Sequence, residues 1–232
     1  MPLLYQIKQF GTQLCPPILL PLVKRVHRRL SGVTPVSAPD AQALDVYWGA
    51  EMERILETWG EGNVWSEIQL AMAGRQGRVL DIACGTGKTM EVLAGEKGLE
   101  LWGCDISDRL IARAVGRGIA SDRLYVGDAT RLPYEDGFFD YSFSIGSIEH
   151  FTEQGIAQML AECRRVTRSV AFHTHPVSKS GRDEGWITTV QSYFNNSTEW
   201  WIAKYQKSFA TVRVLNSLWS DERSEGKWFV CS

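Results

Sequence analysis

The sequence lacks the features of secreted, disulfide-bonded or membrane-spanning proteins. Its five cysteines are odd in number and form no C-x-x-C pair, which argues against a disulfide framework and a zinc site. It also has no uninterrupted apolar run of the about 20 residues that cross a bilayer. At 232 residues and 44% hydrophobic composition, it can bury one sizeable core. We therefore expect a protein of the reducing cytoplasm.

Carboxylates are absent from residues 1–39, which hold five of the 25 lysines and arginines. Residues 40–232 carry the other 20 together with all 27 acids, so a basic arm precedes an acidic body. An acidic body argues against an extended nucleic-acid interface. Within the arm, residues 14–30 join a proline-interrupted apolar stretch to a basic one. We expect residues 1–30 to contact an anionic membrane at its inner face; the alternative is packing on its own domain or on a second subunit.

Residues 78–88 contain an apolar strand that leads into a turn with two glycines and then into a helix. Val79, Leu80 and Ile82 are typical of a strand buried on both faces. Gly85 and Gly87 allow the backbone to turn sharply and to lie close to a ligand. This pattern predicts a site for a nucleotide-like cofactor.

Two familiar nucleotide motifs do not fit this turn. A dinucleotide fingerprint needs a third glycine or an alanine, where this chain has Met90. A phosphate-binding loop matches at Gly87-Lys88-Thr89, but its first glycine is replaced by Ile82, and Asp81 adds negative charge. The sequence therefore favours a cofactor that needs carboxylates instead of a phosphate cradle.

The segment from Asp81 to Gly87 resembles motif I of the class I S-adenosylmethionine-dependent methyltransferases, of the small-molecule type (methyltransferase-11/25-like). In that motif an acid is followed by small residues at every second position, and Ala83 stands here for the first glycine. The resemblance implies S-adenosylmethionine as the cofactor, bound by Asp81, Ala83, Gly85 and Gly87. The arm loosely resembles leader segments of bacterial surface-polysaccharide enzymes.

Two further acids follow at the ends of the next predicted strands. Residues 99–105 form a short apolar run that ends in Asp105, about 20 residues beyond the glycine turn, where an acid can chelate ribose hydroxyls. The resemblance implies that Ile106 packs on the adenine. It also implies that Asp128 accepts a hydrogen bond from the adenine amino group and that the Ala129 amide faces the ring.

Strand and helix patterns alternate from residue 78 to residue 175, which implies a doubly wound parallel sheet. The fourth predicted strand, which contains the cofactor candidate Ile145, leads into a helix with apolar residues at helical spacing. Residues 170–175 are the fifth strand, 198–209 a helix, and 210–231 two strands around a polar turn. The resemblance implies a Rossmann-like, seven-stranded sheet, mostly parallel, with a C-terminal antiparallel hairpin. The domains are the arm, 1–39, and the methyltransferase domain, 40–232.

Methyl transfer to a hydroxyl needs a nearby base, and three histidines and one acid lie near predicted strand ends. Glu149 and His150 follow the fourth strand, whereas His173 and His175 end the fifth. Both strand ends border the crevice where such sheets bind ligands. The alternative for each histidine is a structural hydrogen bond. A metal site is not expected, because His173 and His175 have no third ligand at a recognisable spacing.

The residues directly after the fourth strand narrow the choice of acceptor. In the resembled family, enzymes that methylate amino groups of bases or glutamine carry Asn or Asp, Pro, Pro and an aromatic, whereas this chain has residues 144–147, Ser-Ile-Gly-Ser. A Pro-Cys pair for carbon methylation of pyrimidines is absent as well. We expect O-methylation of a small-molecule or glycan hydroxyl; the alternatives are small-molecule N-methylation and a non-catalytic cofactor-binding scaffold.

Two segments are candidates for covering the substrates. Residues 176–197 form a polar and aromatic connection that is longer than a compact domain needs, which favours a substrate loop. Tyr47 and Trp48 lie in the segment where the resembled family often closes over the cofactor. We therefore expect Tyr47 and Trp48 to contact it.

Overall fold

The computed structural model describes residues 54–188 and 192–232. Its helices are α1 (Val64–Met72), α2 (Lys88–Leu93), α3 (Asp108–Gly116), α4 (Glu153–Val166) and α5 (Thr198–Tyr205). Its strands are β1 (Gly77–Ile82), β2 (Leu99–Asp105), β3 (Leu124–Val126), β4 (Phe139–Ile145), β5 (Thr167–Ser178), β6 (Trp186–Ile187), β7 (Tyr193–Phe194), β8 (Val212–Ser220) and β9 (Ser224–Cys231). The arm, Tyr47 and Trp48 lie outside the described residues, so the predictions made for them stay predictions.

Seven strands form one sheet in the order β3-β2-β1-β4-β5-β9-β8. The first five pair in parallel, whereas β9 is antiparallel to both β5 and β8. The predicted fold class is therefore confirmed, including the C-terminal hairpin. Since β1 pairs with both β2 and β4, the strand order reverses there, and a ligand crevice opens at the carboxyl ends of these strands.

Side chains from β1 point alternately into two apolar layers, one on each face of the sheet. Val79 packs with α1 through Ile68 and Met72. Leu80, in contrast, packs in the layer that contains α4 and α5. Burial on both faces explains the nearly continuous apolar run that identified this strand in the sequence.

Helix α4 begins at an N-cap in which Thr152 Oγ1 accepts the Gly155 N–H at 3.0 Å. Glu153 stands in its first turn and arginines in its last, as the helix dipole favours. The apolar residues at helical spacing are all fully buried, which confirms the predicted core face: Ile156, Leu160, Cys163 and Val166.

Helix α5 ends at Tyr205, four residues earlier than predicted. A turn follows, in which the Phe209 N–H still donates to the Tyr205 carbonyl at 3.0 Å. Trp201, Tyr205 and Phe209 are all buried, so the aromatic stripe is part of the core as expected.

On the opposite face, Glu67 of α1 holds the closing hairpin. Its carboxylate accepts the Ser217 hydroxyl at 2.7 Å, the Trp228 indole N–H at 2.7 Å and the Leu218 N–H. This links α1 to β8 and β9. Within the described ranges, no helix has the length and apolar character that crossing a membrane requires.

Candidate active site

The turn after β1 uses the left-handed backbone region at three positions. Ala83, Gly85 and Gly87 have φ values of 59°, 56° and 73°. A Cβ atom at Gly87 would lie 2.5 Å from Ile119 Cδ1, and one at Gly85 would lie 3.3 Å from Leu56 Cδ1. Both glycines are thus required by backbone conformation and by close neighbours, whereas Ala83 is a strained residue in the same turn.

Asp105 stands at the carboxyl end of β2 and faces this turn. Its carboxylate accepts the Gly85 N–H and the Ser107 N–H, each at 2.9 Å. Asp81 at the end of β1 is 3% exposed, and its Oδ2 has no hydrogen-bond partner among the described residues. Burial raises the pKa of Asp105, and burial together with the charge of Asp105 raises the pKa of Asp81.

The predicted adenine contacts follow β2 and β3. Pairing of Asp105 with Val126, together with the Gly127 N–H donated to the Asp105 carbonyl at 2.9 Å, brings these two strand ends side by side. Ile106 is an apolar side chain that is 37% exposed, and Asp128 is exposed, whereas Ala129 is buried. Asp128 Oδ1 accepts the Thr130 N–H at 2.8 Å.

These residues fit a cationic, hydroxyl-bearing cofactor. An unpartnered carboxylate oxygen in a buried position is costly, and a ligand that brings donors or positive charge removes the cost. Lys88, which would serve a phosphate, is instead bonded to Glu91 at 2.6 Å. These buried carboxyl groups therefore suit the sulfonium cofactor better than a nucleoside phosphate. The roles assigned to individual residues from the sequence stay predictions.

Arg117 follows α3 and stabilises the turn after β1 through hydrogen bonds of its guanidinium group. Its Nε–H donates to the Thr86 carbonyl at 2.8 Å, its Nη1 donates to Glu91 at 3.0 Å, and its Nη2 pairs with Glu57. Burial, which raises the pKa of Glu57, is outweighed by these bonds, so that pKa lies below its ordinary value. Arg117 thus joins the turn to residues 54–60, whose Leu56 lies against Gly85.

A cavity of about 480 Å³ lies beyond the ends of β4 and β5. Leu56 lines it and also touches the Gly85 position, so the cavity adjoins the glycine turn. Its described wall is mostly apolar and aromatic, with six polar or ionisable residues among those that line it. The lining residues used below are Ile145, Glu149, His150, His175, Tyr193 and Asp221.

Aromatic side chains from distant parts of the sequence form the cavity walls. Trp59 approaches Gly146, whose Cβ position lies 3.3 Å from the indole, and Trp219 comes from β8. No local sequence pattern identifies Trp59 or Trp219 as part of a site, because only tertiary packing brings them together. Ile145, predicted as a cofactor contact, lies in this wall.

Glu149 occupies the short 3-10 helix Ile148–His150 directly after β4. The residue is 3% exposed, and its Oε2 has no partner among the described residues. Burial raises its pKa to about 8. Glu149 Oε1 lies 3.7 Å from His150 Nε2.

His150 is positioned by the substrate loop. Its Nδ1 donates to the Ser192 carbonyl at 2.9 Å, which places the proton of the neutral ring on Nδ1 and leaves Nε2 toward Glu149. Burial lowers its pKa. His150 lines the cavity, and its catalytic role stays a prediction.

His173 and His175 lie on one face of β5, as expected, but that face packs against α5. His173 is fully buried, with Nδ1 at 2.7 Å from Ser144 Oγ and Nε2 at 3.5 Å from Cys163 Sγ. It is not among the residues that line the cavity. Its surroundings therefore differ from the expectation that it faces the acceptor.

His175 borders the cavity, but its ring is engaged within the protein. Nδ1 donates to the Pro176 carbonyl, Nε2 accepts the Tyr205 hydroxyl, each at 3.1 Å, and the ring stacks on Phe229. Burial lowers the pKa of His173 and of His175 to about 3. Both rings are thus poor proton acceptors at neutral pH, which argues against the catalytic role predicted for them.

The predicted substrate loop, 176–197, contains a small antiparallel pair, β6 with β7. Trp186 is buried against Phe194 in the core, whereas Tyr193 lines the cavity. One end of the loop thus contributes to the wall beside His150. In residues 54–188 and 192–232, no group of three His, Cys, Asp or Glu side chains is placed to hold a metal ion.

Comparison with known proteins matches residues 79–169 to a family model described as a methyltransferase domain. A demethylmenaquinone methyltransferase of Beutenbergia cavernae is 38% identical over 115 residues, which are 47% of this chain and 45% of that protein. A ubiquinone/menaquinone biosynthesis C-methyltransferase of Burkholderia mallei is 33% identical over 118 residues, 47% of each chain. The chain thus spans about half the length of these curated relatives.

Among solved structures, the fold is similar to that of phosphoethanolamine N-methyltransferase 2 from Haemonchus contortus, in complex with S-adenosyl-L-methionine. The TM-score is 0.60 at 19% identity, and the match covers 78% of this chain and 56% of that one. At this identity the similarity concerns the fold alone. Residues 79–169 therefore resemble a methyltransferase domain, and the sheet that carries them has the same fold as that N-methyltransferase.

Proposed function

We propose that this protein transfers a methyl group from S-adenosylmethionine to a small acceptor that carries a hydroxylated ring. The observation that carries the proposal is the cavity beside the glycine turn, because it combines aromatic walls with one buried carboxyl group. The adjoining turn, with Asp81 and Asp105, supports the cofactor. One of the fold neighbours is a complex with that same cofactor.

The residues of the turn would hold S-adenosylmethionine in a defined way. Asp105 would bind the ribose hydroxyls, Asp128 and Ile106 the adenine, and Asp81 would lie near the positively charged part of the molecule. The cofactor supplies an electrophilic methyl group on a sulfonium. The protein supplies orientation and a dry cavity, which are the main needs of an in-line displacement.

The lining argues for the ring acceptor and gives less support to a glycan. Trp59, Trp219 and Tyr193 offer flat apolar surfaces, whereas a sugar needs many polar partners. Within the described part of the lining there is no lysine or arginine, and Asp221 and Glu149 are acidic. An acceptor bearing phosphate or carboxylate groups there would meet only like charge.

The acceptor atom is oxygen or an adjoining ring carbon. When the hydroxyl group of such a ring loses its proton, the negative charge is shared between the oxygen and the adjoining ring carbon. The same cavity could therefore serve O-methylation or C-methylation. The sequence favoured oxygen because of the bases near the strand ends. The relative from Burkholderia mallei is named as a C-methyltransferase, which favours carbon.

The proposal is tested with S-adenosylmethionine labelled in its methyl group. Hydroquinone, catechol and 1,4-naphthalenediol are offered as acceptors, against benzene, naphthalene, aniline and a hexose as matched controls. We expect label in products of the hydroxylated rings alone, and NMR of the product assigns it to oxygen or carbon. Transfer to the hexose or to aniline, but to none of the hydroxylated rings, would overturn the proposal.

A further inference from the structure

Glu149 is the one carboxyl group in the described cavity wall that is buried and has an oxygen without a hydrogen-bond partner. The 3-10 helix that holds it follows β4 directly, at the strand end where the crevice opens. Its Oε1 lies near His150 Nε2, which leaves Oε2 without a partner. Buried acceptors without a donor are costly, so this oxygen is suited to receive one from a ligand.

We propose that Glu149 takes the proton from the hydroxyl group of the acceptor, an inference that rests on the proposed function. An acceptor hydroxyl in the cavity would donate to Oε2. Glu149, and neither His173 nor His175, would then be the catalytic base. The two β5 histidines have their ring nitrogens engaged within the protein.

The step balances in protons and electrons. The O–H bond of the acceptor breaks, its proton goes to Glu149 Oε2, and the electron pair stays on the acceptor. That pair forms the new bond to the methyl carbon, while the pair of the S–C bond returns to sulfur, which becomes a neutral thioether. If a ring carbon is methylated, Glu149 returns its proton to the ring oxygen and then takes the proton from the methylated carbon, which restores the aromatic ring; this proton finally passes to solvent.

The surroundings of Glu149 suit a base that works near neutral pH. Burial raises its pKa to about 8, and a general base is most effective when its pKa is near the working pH. In the described lining no lysine or arginine stabilises its anion. The titratable groups that face it or lie within electrostatic range are His150, His175, Tyr193, Tyr205 and Asp221.

Calorimetric binding of phenol tests the proposal without knowledge of the true acceptor. The full-length protein saturated with S-adenosylhomocysteine is titrated with phenol and with toluene at pH 6 and pH 9. Phenol keeps its proton at both pH values, because its pKa is about 10, like that of tyrosine. We expect phenol to bind about tenfold more tightly at pH 9, since an ionised carboxylate accepts a stronger hydrogen bond, and toluene to gain nothing.

Glu149→Gln should abolish the pH dependence of phenol binding, whereas Glu135→Gln, at an exposed position, should keep it. An equal gain for phenol in Glu149→Gln, or no gain over toluene in the wild-type protein, would overturn the proposal. The wild-type comparison decides the matter even if Glu149→Gln does not fold. Failure of the proposed function is distinguishable, because it appears as absence of S-adenosylhomocysteine binding or of labelled methyl transfer.

Discussion

Single buried side chains set the chemistry of this site. Asp81, Asp105 and Glu149 are carboxyl groups with raised pKa values, and burial is the main cause for each. Two of them lie at the glycine turn and the third in the cavity wall. Burying these groups lowers the stability of the ligand-free protein, so we expect ligands that bring hydrogen-bond donors or positive charge.

Glu149 should make the free protein less stable as pH rises. Its folded pKa of about 8 exceeds the ordinary 4.5, so the stability it contributes is complete below pH 4.5 and is lost as pH rises to 8. Glu149→Gln removes this dependence. The variant should therefore gain melting temperature relative to the wild-type protein between pH 5 and 8, as measured by thermal unfolding, and a constant difference across that range would contradict the assigned burial.

His173 and His175 should make the protein less stable as pH falls. Their folded pKa values of about 3 lie below the ordinary 6.5, so the stability they contribute is complete above pH 6.5 and is lost as pH falls toward 3. When both histidines are replaced by glutamine, the free energy of unfolding should fall less steeply as pH decreases from 7 to 4. Urea unfolding at several pH values in this range measures that slope. An unchanged slope would mean that the two rings take up protons equally in the folded and unfolded states.

At the scale of elements, Arg117 fixes the glycine turn to residues 54–60. Arg117→Lys cannot reach Thr86, Glu91 and Glu57 together, because lysine lacks the planar fork. We expect a loss of about 1 kcal/mol in unfolding free energy, mostly from the partly buried bond to Thr86, since Glu91 is half exposed.

The same variant should bind S-adenosylhomocysteine several-fold more weakly, because the turn and its Leu56 neighbour are no longer held together. Arg168→Lys is the matched control, since Arg168 is exposed and pairs with Asp140 at the amino ends of β5 and β4, away from the carboxyl ends where the crevice opens. Equal affinities for Arg117→Lys and Arg168→Lys would show that the turn keeps its shape without Arg117.

The elements that were predictable from the sequence are those with local signals. The turn after β1, the acid that ends β2, the apolar face of α4 and the closing hairpin all follow from spacing within a few residues. The cavity has no such signal, because Trp59 and Trp219 are far apart in the sequence. For His173 and His175 the shared face was predictable, but β5 is buried on both sides, so the sequence did not reveal which side faces α5.

At the scale of the whole molecule, charge is divided between the basic arm and the acidic body. The predicted membrane contact of the arm lies outside the described residues and is tested on the full chain. Arg25, Arg28 and Arg29 replaced by glutamine should weaken binding to phosphatidylserine vesicles by about a hundredfold, at about 1 kcal/mol per charge.

Two controls accompany the vesicle measurement. Arg213→Gln in the exposed part of β8 should leave vesicle binding unchanged, and neutral phosphatidylcholine vesicles should bind neither protein. If the triple variant sediments with phosphatidylserine vesicles as strongly as the wild-type protein does, the membrane hypothesis is wrong. In that case the arm is better explained by packing on its own domain or on a second subunit.

Cofactor binding depends on the buried acids, on the glycine turn and on the sheet that positions both. The most direct measurement is calorimetric titration with S-adenosylhomocysteine of the wild-type protein, Asp105→Ala and the exposed control Asp122→Ala. We expect saturable binding by the wild-type protein and by Asp122→Ala, and affinity lower by about tenfold or more for Asp105→Ala. No binding by the wild-type protein, or unchanged affinity in Asp105→Ala, would contradict the proposed cofactor site.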